Sequence, residues 1–199
     1  MSHYFSEEQT TPSKRKVFTY QYKSYSYTFI TDTGVFSVGH IDSGTDILLQ
    51  HIPPLSGSLL DMGCGYGAIG IVLAKEYNLA LTQADINPRA IELARENCEK
   101  NGLQSNIILS NQFSKILGQF DTIVINPPIH AGKQVIYSLY KDAFACLNEF
   151  GNLYIVIRKK HGAESTITKL TQIFGNTSIL HKKKGIYVLC SKKMPSSPR

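Results

Sequence analysis

The run FDTIVI, residues 120–125, is followed directly by Asn126, Pro127 and Pro128. The apolar run reads as a buried strand, so these residues put an amide and a rigid backbone at the mouth of a sheet. That pairing suits one kind of chemistry. An exocyclic amine on a nucleobase, or an amide nitrogen, is a poor nucleophile because its lone pair is delocalised. A site that accepts hydrogen bonds from both of its hydrogens helps to release that lone pair. The Asn126 side-chain oxygen and the Pro127 carbonyl are two such acceptors, and the prolines fix the direction of the carbonyl. No strong base is needed, because the amine loses its proton readily once alkylated. The plainer reading of Asn-Pro is a strand-ending turn, so the neighbouring motifs must decide.

Two of them point to an adenosine-containing cofactor. LLDMGCGYGAIG, residues 59–70, sets Asp61, Gly63, Gly65, Gly67 and Gly70 between a strand and a helix, where glycines allow a tight turn and close approach of a ligand to backbone. Residues 65–70 alone match a dinucleotide pattern, GxGxxG. A carboxylate at Asp61 would repel a pyrophosphate but could hold a cationic amino group, directly or through water. Asp85, in QADINPRA, ends the next strand about 20 residues on, where a carboxylate can accept from both ribose hydroxyls. Its plainer role is to cap the following helix. This pair leaves nicotinamide dinucleotide and S-adenosylmethionine (SAM) both open. Asn126-Pro127-Pro128 turns the choice toward SAM and transfer of a methyl group to an amine.

These residues need a frame that brings strand ends together. From residue 58 the chain alternates strands (GSLLDM, LALTQAD, NIIL, FDTIVI, GNLYIVIRK) with helices (GAIGIVLAKEYN, NPRAIELARENCEKNG, KQVIYSLYKDAFACLNEF, AESTITKLTQIFG). Asn87 is the expected N-cap of the second helix, Pro88 its first residue and Gly102 its end; Ile91, Ala94 and Cys98 share one face. Two closing strands, TSILHK and GIYVLCS, are joined by a link too short for a parallel crossover. The expected fold class is α/β, a seven-stranded, mostly parallel sheet with helices on both faces and one antiparallel strand near the end. Ahead of it, VFTYQYKSYSYTFIT alternates large and polar residues and breaks at Lys23-Ser24, which predicts a hairpin. Its aromatics suit cross-strand packing on the domain better than stacking on bases. We expect a β-rich extension over 1–46 and the main domain over 47–199.

Composition narrows the partners. The chain has 199 residues, 42% hydrophobic and 18% charged, and a formal net charge of +6. This is the composition of a globular domain, without a membrane span or a signal peptide. Cys64, Cys98, Cys146 and Cys190 form no CxxC pair and read as reduced thiols in a cytoplasm; no His/Cys cluster suggests a metal. Positive charge gathers in SKRK (13–16), RKKH (158–161), HKKK (181–184) and SKK (191–193), which favours a polyanionic partner. The tail KMPSSPR reads as disordered.

The order DxGxGxG, DIN, NPP resembles a class I SAM-dependent methyltransferase of the amino-methylating kind. NPPIHAGK, with HYFS (3–6), GVFSVGHIDSGTDILL (34–49), LDMGCGYGAIG and RKKHGAES (158–165), resembles the RsmC-like ribosomal RNA guanine-N2 methyltransferases in their short, single-domain form. The resemblance implies a Rossmann-like fold and methyl transfer from SAM to a guanine amine of 16S rRNA, on naked rRNA or the 30S subunit. It implies a catalytic group of Asn126, Pro127, Pro128 and Ile129, with Ile129 where relatives often carry an aromatic to stack on the base. The implied cofactor residues are Asp61, Gly63, Cys64, Gly65, Tyr66, Gly67, Asp85, Ile86 and Asn126, with Asn111 where the family commonly has an acid for the adenine amine. Phe36, His130 and Lys133 are candidate substrate contacts, and Phe36, Asp42 and Thr45 lie in a segment ahead of the main domain that could close over the cofactor. His130 stands where short relatives often have Arg. Competing readings are methylation of adenine or of a protein glutamine, a non-catalytic RNA-binding assembly factor, and an NAD-dependent oxidoreductase, which leaves NPP unexplained.

Overall fold

A computed structural model describes residues 11–128 and 131–195. HYFS, Ile129, His130 and the last four residues of the tail lie outside them. The hairpin comes first, as β1 (Lys16–Tyr22) and β2 (Tyr25–Thr31), followed by α1 (Ser43–His51). Then come β3 (Ser58–Met62), α2 (Ala68–Tyr77), β4 (Ala80–Asp85), α3 (Pro88–Lys100), β5 (Asn106–Leu109) and β6 (Phe120–Ile125). The chain continues through α4 (Lys133–Cys146), β7 (Leu147–Arg158), α5 (Ala163–Phe174), β8 (Ser178–Lys183) and β9 (Ile186–Lys192). Seven strands form one sheet in the order β5-β4-β3-β6-β7-β9-β8, and β9 runs antiparallel to both neighbours. The residue-46 boundary runs inside α1.

The sheet has a core on each face. On the central strands successive residues serve opposite sides, as the pleat requires. Leu59, Val124, Tyr154, Val156 and Val188 face α1, α2, α3 and the hairpin. Leu60, Ile123, Ile125, Leu153, Ile155, Ile157 and Leu189 face α4 and α5. The strands are therefore apolar throughout, as in sheets covered on both sides.

The hairpin answers a need of α2. Ala68 to Ala74 are all buried, so this helix has little polar face to turn to water. The sheet covers one side, and Tyr27 and Phe29, both fully buried, join the cluster on the other. The hairpin aromatics are thus mostly core residues, as packing predicts, and the turn falls at Lys23, whose φ of 49° suits a two-residue hairpin loop.

Two amides, one on α3 and one at its C-cap, hold the hairpin in register. Asn97 is fully buried: its Oδ1 accepts from the Ile30 N–H at 2.7 Å, and its Nδ2 donates to the Ile30 carbonyl at 2.9 Å and the Tyr66 carbonyl at 2.8 Å. One helical turn later, Asn101 Oδ1 accepts from the Thr28 N–H at 3.1 Å and its Nδ2 donates to the Thr28 carbonyl at 2.9 Å. Four helical residues rise about 6 Å and two strand residues about 6.6 Å, so the two spacings match. The helix supplies the open edge of β2 with a side-chain substitute for a neighbouring strand.

One element departs from expectation. The helix expected to run through Phe150 ends at Cys146, and residues 147–150 open β7 instead. Leu147 pairs with Phe120, and the chain then turns at Phe150, whose φ is 65°. A Cβ at Gly151 would lie 3.0 Å from the Asn148 carbonyl and 3.1 Å from the Asp121 carbonyl, so β7 lies close against its parallel neighbour β6 where the pairing is irregular. Asn148 Nδ2 donates to Asp121 Oδ1 at 2.7 Å and adds a side-chain bond between the two strands there. Helix-forming residue types lost to long-range pairing here.

Asn97→Ala should leave the Ile30 amide and carbonyl buried without partners, at a cost on the order of 1–3 kcal/mol for each group. The expected outcome is a lower urea midpoint together with faster hydrogen exchange at the Ile30 amide than at sheet amides. Unchanged protection at Ile30 would count against the edge-pairing role.

Candidate active site

A cavity of about 490 Å³ opens at the carboxyl ends of β3, β4 and β6, the edge at which α/β sheets bind ligands. Its floor is the glycine turn. Gly63 and Cys64 N–H groups both donate to the Ala84 carbonyl, at 2.8 and 3.0 Å, which ties the turn to β4. Gly67, at φ 92°, has no room for a side chain: a Cβ would lie 2.8 Å from Gln83 Nε2 and 3.0 Å from Ile71 Cδ1. Gly63 differs, with φ 73° and nothing within 4 Å of a built Cβ. It therefore meets open space where a ligand can approach the backbone.

The two carboxylates have separate jobs. Asp85 lines the cavity; its Oδ2 accepts from the Gly65 N–H at 2.8 Å and its Oδ1 from the Asn87 N–H at 2.9 Å. Burial holds this carboxyl above its usual range, and the hydrogen bonds from Asn87 and Gly65 oppose the rise. Asp61, proposed above to hold a cationic amino group, is 1% exposed and lies beneath the turn, outside the cavity lining. Its Oδ2 accepts from the Gly70 N–H at 2.8 Å, inside the first turn of α2. Asp61 shapes the turn from below, while Asp85 meets the cavity.

Asn126, Pro127 and Pro128 leave β6 and line the same cavity. Asn126 Nδ2 donates to Thr45 Oγ1 at 3.4 Å, which leaves the amide oxygen as the atom to meet an incoming donor. Pro127 is buried, and the Pro128 carbonyl accepts from the Ala131 N–H at 2.9 Å, turning the chain toward α4. Thr45 is positioned by α1, whose N-cap Asp42 accepts from the Gly44 and Thr45 N–H groups at 2.8 and 3.2 Å. Arg158, at the end of β7, donates to Ser43 Oγ at 2.7 Å and lies 3.5 Å from Asp42 Oδ1.

Cys64, Gly65, Tyr66, Ile86, Asn111 and Phe36 also line the cavity, in company with Asp42 and Thr45. Burial pushes the Cys64 thiol well above its usual range, and the charges of Asp85 and Asp61 add to the effect, so it stays a thiol. The Tyr66 hydroxyl donates to the His40 carbonyl at 3.2 Å. Lys133 is exposed at the start of α4 and does not line the cavity. Arg158 and His161 line it, though their basic run suggested only an outer surface; their place at a strand end on the cavity edge was the available signal. Among the described residues no group of three His, Cys, Asp or Glu could hold a metal, and no helix is long and apolar enough to cross a membrane.

Known proteins carry the same frame. The family model of the methyltransferase small domain matches residues 26–190. The chain belongs to this methyltransferase family. It is 38% identical over 198 residues to Uncharacterized protein YbxB of Bacillus subtilis, covering 96% of this chain and 98% of that one. It is 47% identical over 106 residues to Ribosomal RNA small subunit methyltransferase C of Aeromonas hydrophila, covering 53% of this chain and 31% of the relative. The solved 16S rRNA N2 methyltransferase RsmC of T. thermophilus, in complex with AdoMet and guanosine, superposes with a TM-score of 0.80 at 25% identity, over 92% of this chain and 51% of that chain. The fold is thus the Rossmann-like fold of class I methyltransferases, of the RsmC-like kind. The chain spans about half or less of the RsmC proteins it matches.

Burial pushes the Asp61 carboxyl up to about 7, a rise that the Gly70 N–H opposes and the Asp85 charge supports. An unfolded Asp titrates near ~4. The folded state therefore binds the proton more tightly, and the stability tied to that proton is full below about pH 4 and lost as pH rises to about 7. Asp61→Asn keeps an oxygen for the Gly70 N–H without the charge. The difference in urea midpoint between variant and wild type should move in the variant's favour between about pH 4 and 7. A difference that stays constant over that range would remove the basis for this reading.

Proposed function

We propose that this methyltransferase moves the methyl group of SAM to the exocyclic N2 amine of a guanine in 16S rRNA. The observation that carries the reading is the meeting of Asn126, Pro127 and Pro128 with Asp85 and the glycine turn in one cavity. The residues present fit SAM. Gly63 leaves the floor open, and Asp85 presents a carboxylate beside it, suited to the ribose hydroxyls. Backbone from Gly63 to Gly67, with Cys64 and Tyr66, would hold the amino-acid end. Ile86 would pack on the adenine, and the Asn111 oxygen would accept from its amino group. Asp61 would act through the turn. When bound, SAM supplies an electrophilic methyl on a sulfonium.

The chain's own residues then act on the amine. The Asn126 oxygen and the Pro127 carbonyl accept from its two hydrogens and draw the nitrogen lone pair out of conjugation. Thr45, by engaging Asn126 Nδ2, keeps the oxygen turned toward the substrate. A carbonyl-type acceptor suffices because the amine becomes acidic as it is alkylated. The guanine amine lies in the minor groove of a helix, so the base must be unpaired or flipped to enter. Ile129 and His130, outside the described residues, follow the prolines and are assigned the base face and a phosphate. The RNA substrate is supported by the RsmC relatives, one of which is named for 16S rRNA and complexed with guanosine.

The deciding experiment is transfer of labelled methyl from SAM to 16S rRNA and to 30S subunits from a strain lacking the protein, with the product nucleoside identified. N2-methylguanosine is expected; N6-methyladenosine, a ring-carbon or ribose methyl, or label only on protein would overturn the proposal. Asn126→Ala should lower kcat by about 10²–10³ with SAM affinity held, since a preorganised acceptor acts chiefly in the transition state. Asp85→Ala should do the reverse in kind, weakening SAM binding in calorimetry by roughly 1.5–3 kcal/mol for each charge-assisted hydrogen bond lost.

A further inference from the structure

Four basic runs punctuate the sequence, and the fold sorts them. β9 enters the sheet antiparallel to β7, with Arg158 opposite Ile186. The β8–β9 turn therefore points to the carboxyl edge, the edge of the cavity. It delivers Lys183 and Lys184 there. The Lys159 N–H donates to the Gly185 carbonyl at 2.7 Å, which joins this turn to the one after β7. Lys159, Lys160, Lys183 and Lys184 are all exposed, and among the described residues none is ion-paired with a carboxylate. Glu164, at the start of α5, is engaged by the Tyr187 hydroxyl at 3.0 Å. The neighbours of these lysines, Arg158 and His161, line the cavity itself. Two runs separated by 19 residues thus make one positive ridge that starts at the cavity rim.

The other two runs are placed differently. Lys192 pairs opposite Asn152, toward the amino end of β7, and Lys193 Nζ donates to the Leu147 carbonyl at 2.6 Å. In the run at 13–16, Arg15 is bound to Glu96 at 2.9 Å.

We propose that the ridge of Lys159, Lys160, Lys183 and Lys184 docks the phosphodiester backbone beside the nucleotide that enters the cavity. This rests on the RNA substrate proposed above. Charge complementarity selects the partner: exposed, unpaired ammonium groups on two joined turns beside the cavity suit a strand of phosphodiesters, whose phosphates release counterions on contact.

Two double variants, Lys159→Gln with Lys160→Gln and Lys183→Gln with Lys184→Gln, are compared with a control of equal charge loss, Lys100→Gln with Lys192→Gln, at the opposite edge. Filter binding of a 16S rRNA transcript across a salt series is read beside methyl transfer and SAM affinity. Each ridge variant should flatten the log–log salt slope by about 1–2 and raise KM for RNA about tenfold, with kcat and SAM affinity held. The control should leave the slope at the wild-type value. Equal flattening in the control and ridge variants would overturn the proposal, as would a wild type whose RNA binding is insensitive to salt. A wild type that binds RNA through the ridge but transfers no methyl to it would leave the docking surface standing and overturn the proposed activity. Methyl transfer to rRNA that the ridge variants perform with wild-type KM would do the opposite.

Discussion

The buried amide of Asn97 is the contact on which the cofactor edge rests. It joins three elements that have no backbone pairing with one another: the open edge of β2, the third helix, and the glycine turn through the Tyr66 carbonyl. A buried amide with all its partners met is rigid, because every alternative position leaves polar groups unpaired in a low dielectric. The glycine turn has few side chains to hold its shape and depends on such outside bonds. The hairpin, in turn, is needed because α2 is apolar on nearly all sides. One residue on α3 thus couples the covering of α2 to the shape of the turn that lines the cavity.

The two aspartates at the ends of β3 and β4 illustrate how position divides the work of like groups. Both are affected chiefly by burial. Asp61 spends its acceptor on Gly70, at the start of α2, where the helix end favours negative charge. Asp85 shares its two oxygens between the N–H groups of Gly65 and Asn87 and still borders the cavity. A ribose diol meeting Asp85 would therefore find a carboxylate already oriented by two backbone donors. Such preorientation reduces the ordering needed when a ligand binds.

On the other side of the cavity the Asn126 amide is supported through a chain of contacts. Arg158 reaches Ser43 and Asp42, Asp42 caps α1, α1 presents Thr45, and Thr45 meets Asn126. These links connect the end of β7 to the end of β6 across a helix that precedes both in sequence. The Asn126 amide is thereby oriented by parts of the chain far from it, which suits the acceptor role we propose for it, where direction matters more than basicity.

Much of this was legible in the sequence. The strand and helix alternation, the hairpin break at Lys23, the Asn87 cap and the Gly102 stop all depend on neighbours within a few residues, and they stand in the structure as read. So does the antiparallel last strand, since its short link admits no crossover. The end of α4 was not legible, because Leu147 to Phe150 are decided by pairing with Phe120 and by the close approach of β6 at Gly151. Nor was the place of Asp61, since residue type and spacing are the same for a carboxylate above a turn and one beneath it. The contacts that orient Asn126 and Arg158 span 81 and 115 residues. Local sequence determined which groups stand at the strand ends, because backbone periodicity and caps act over one or two turns. Only the tertiary structure decided which of those groups meet, because that depends on how helices pack across a sheet whose strand order differs from the chain order.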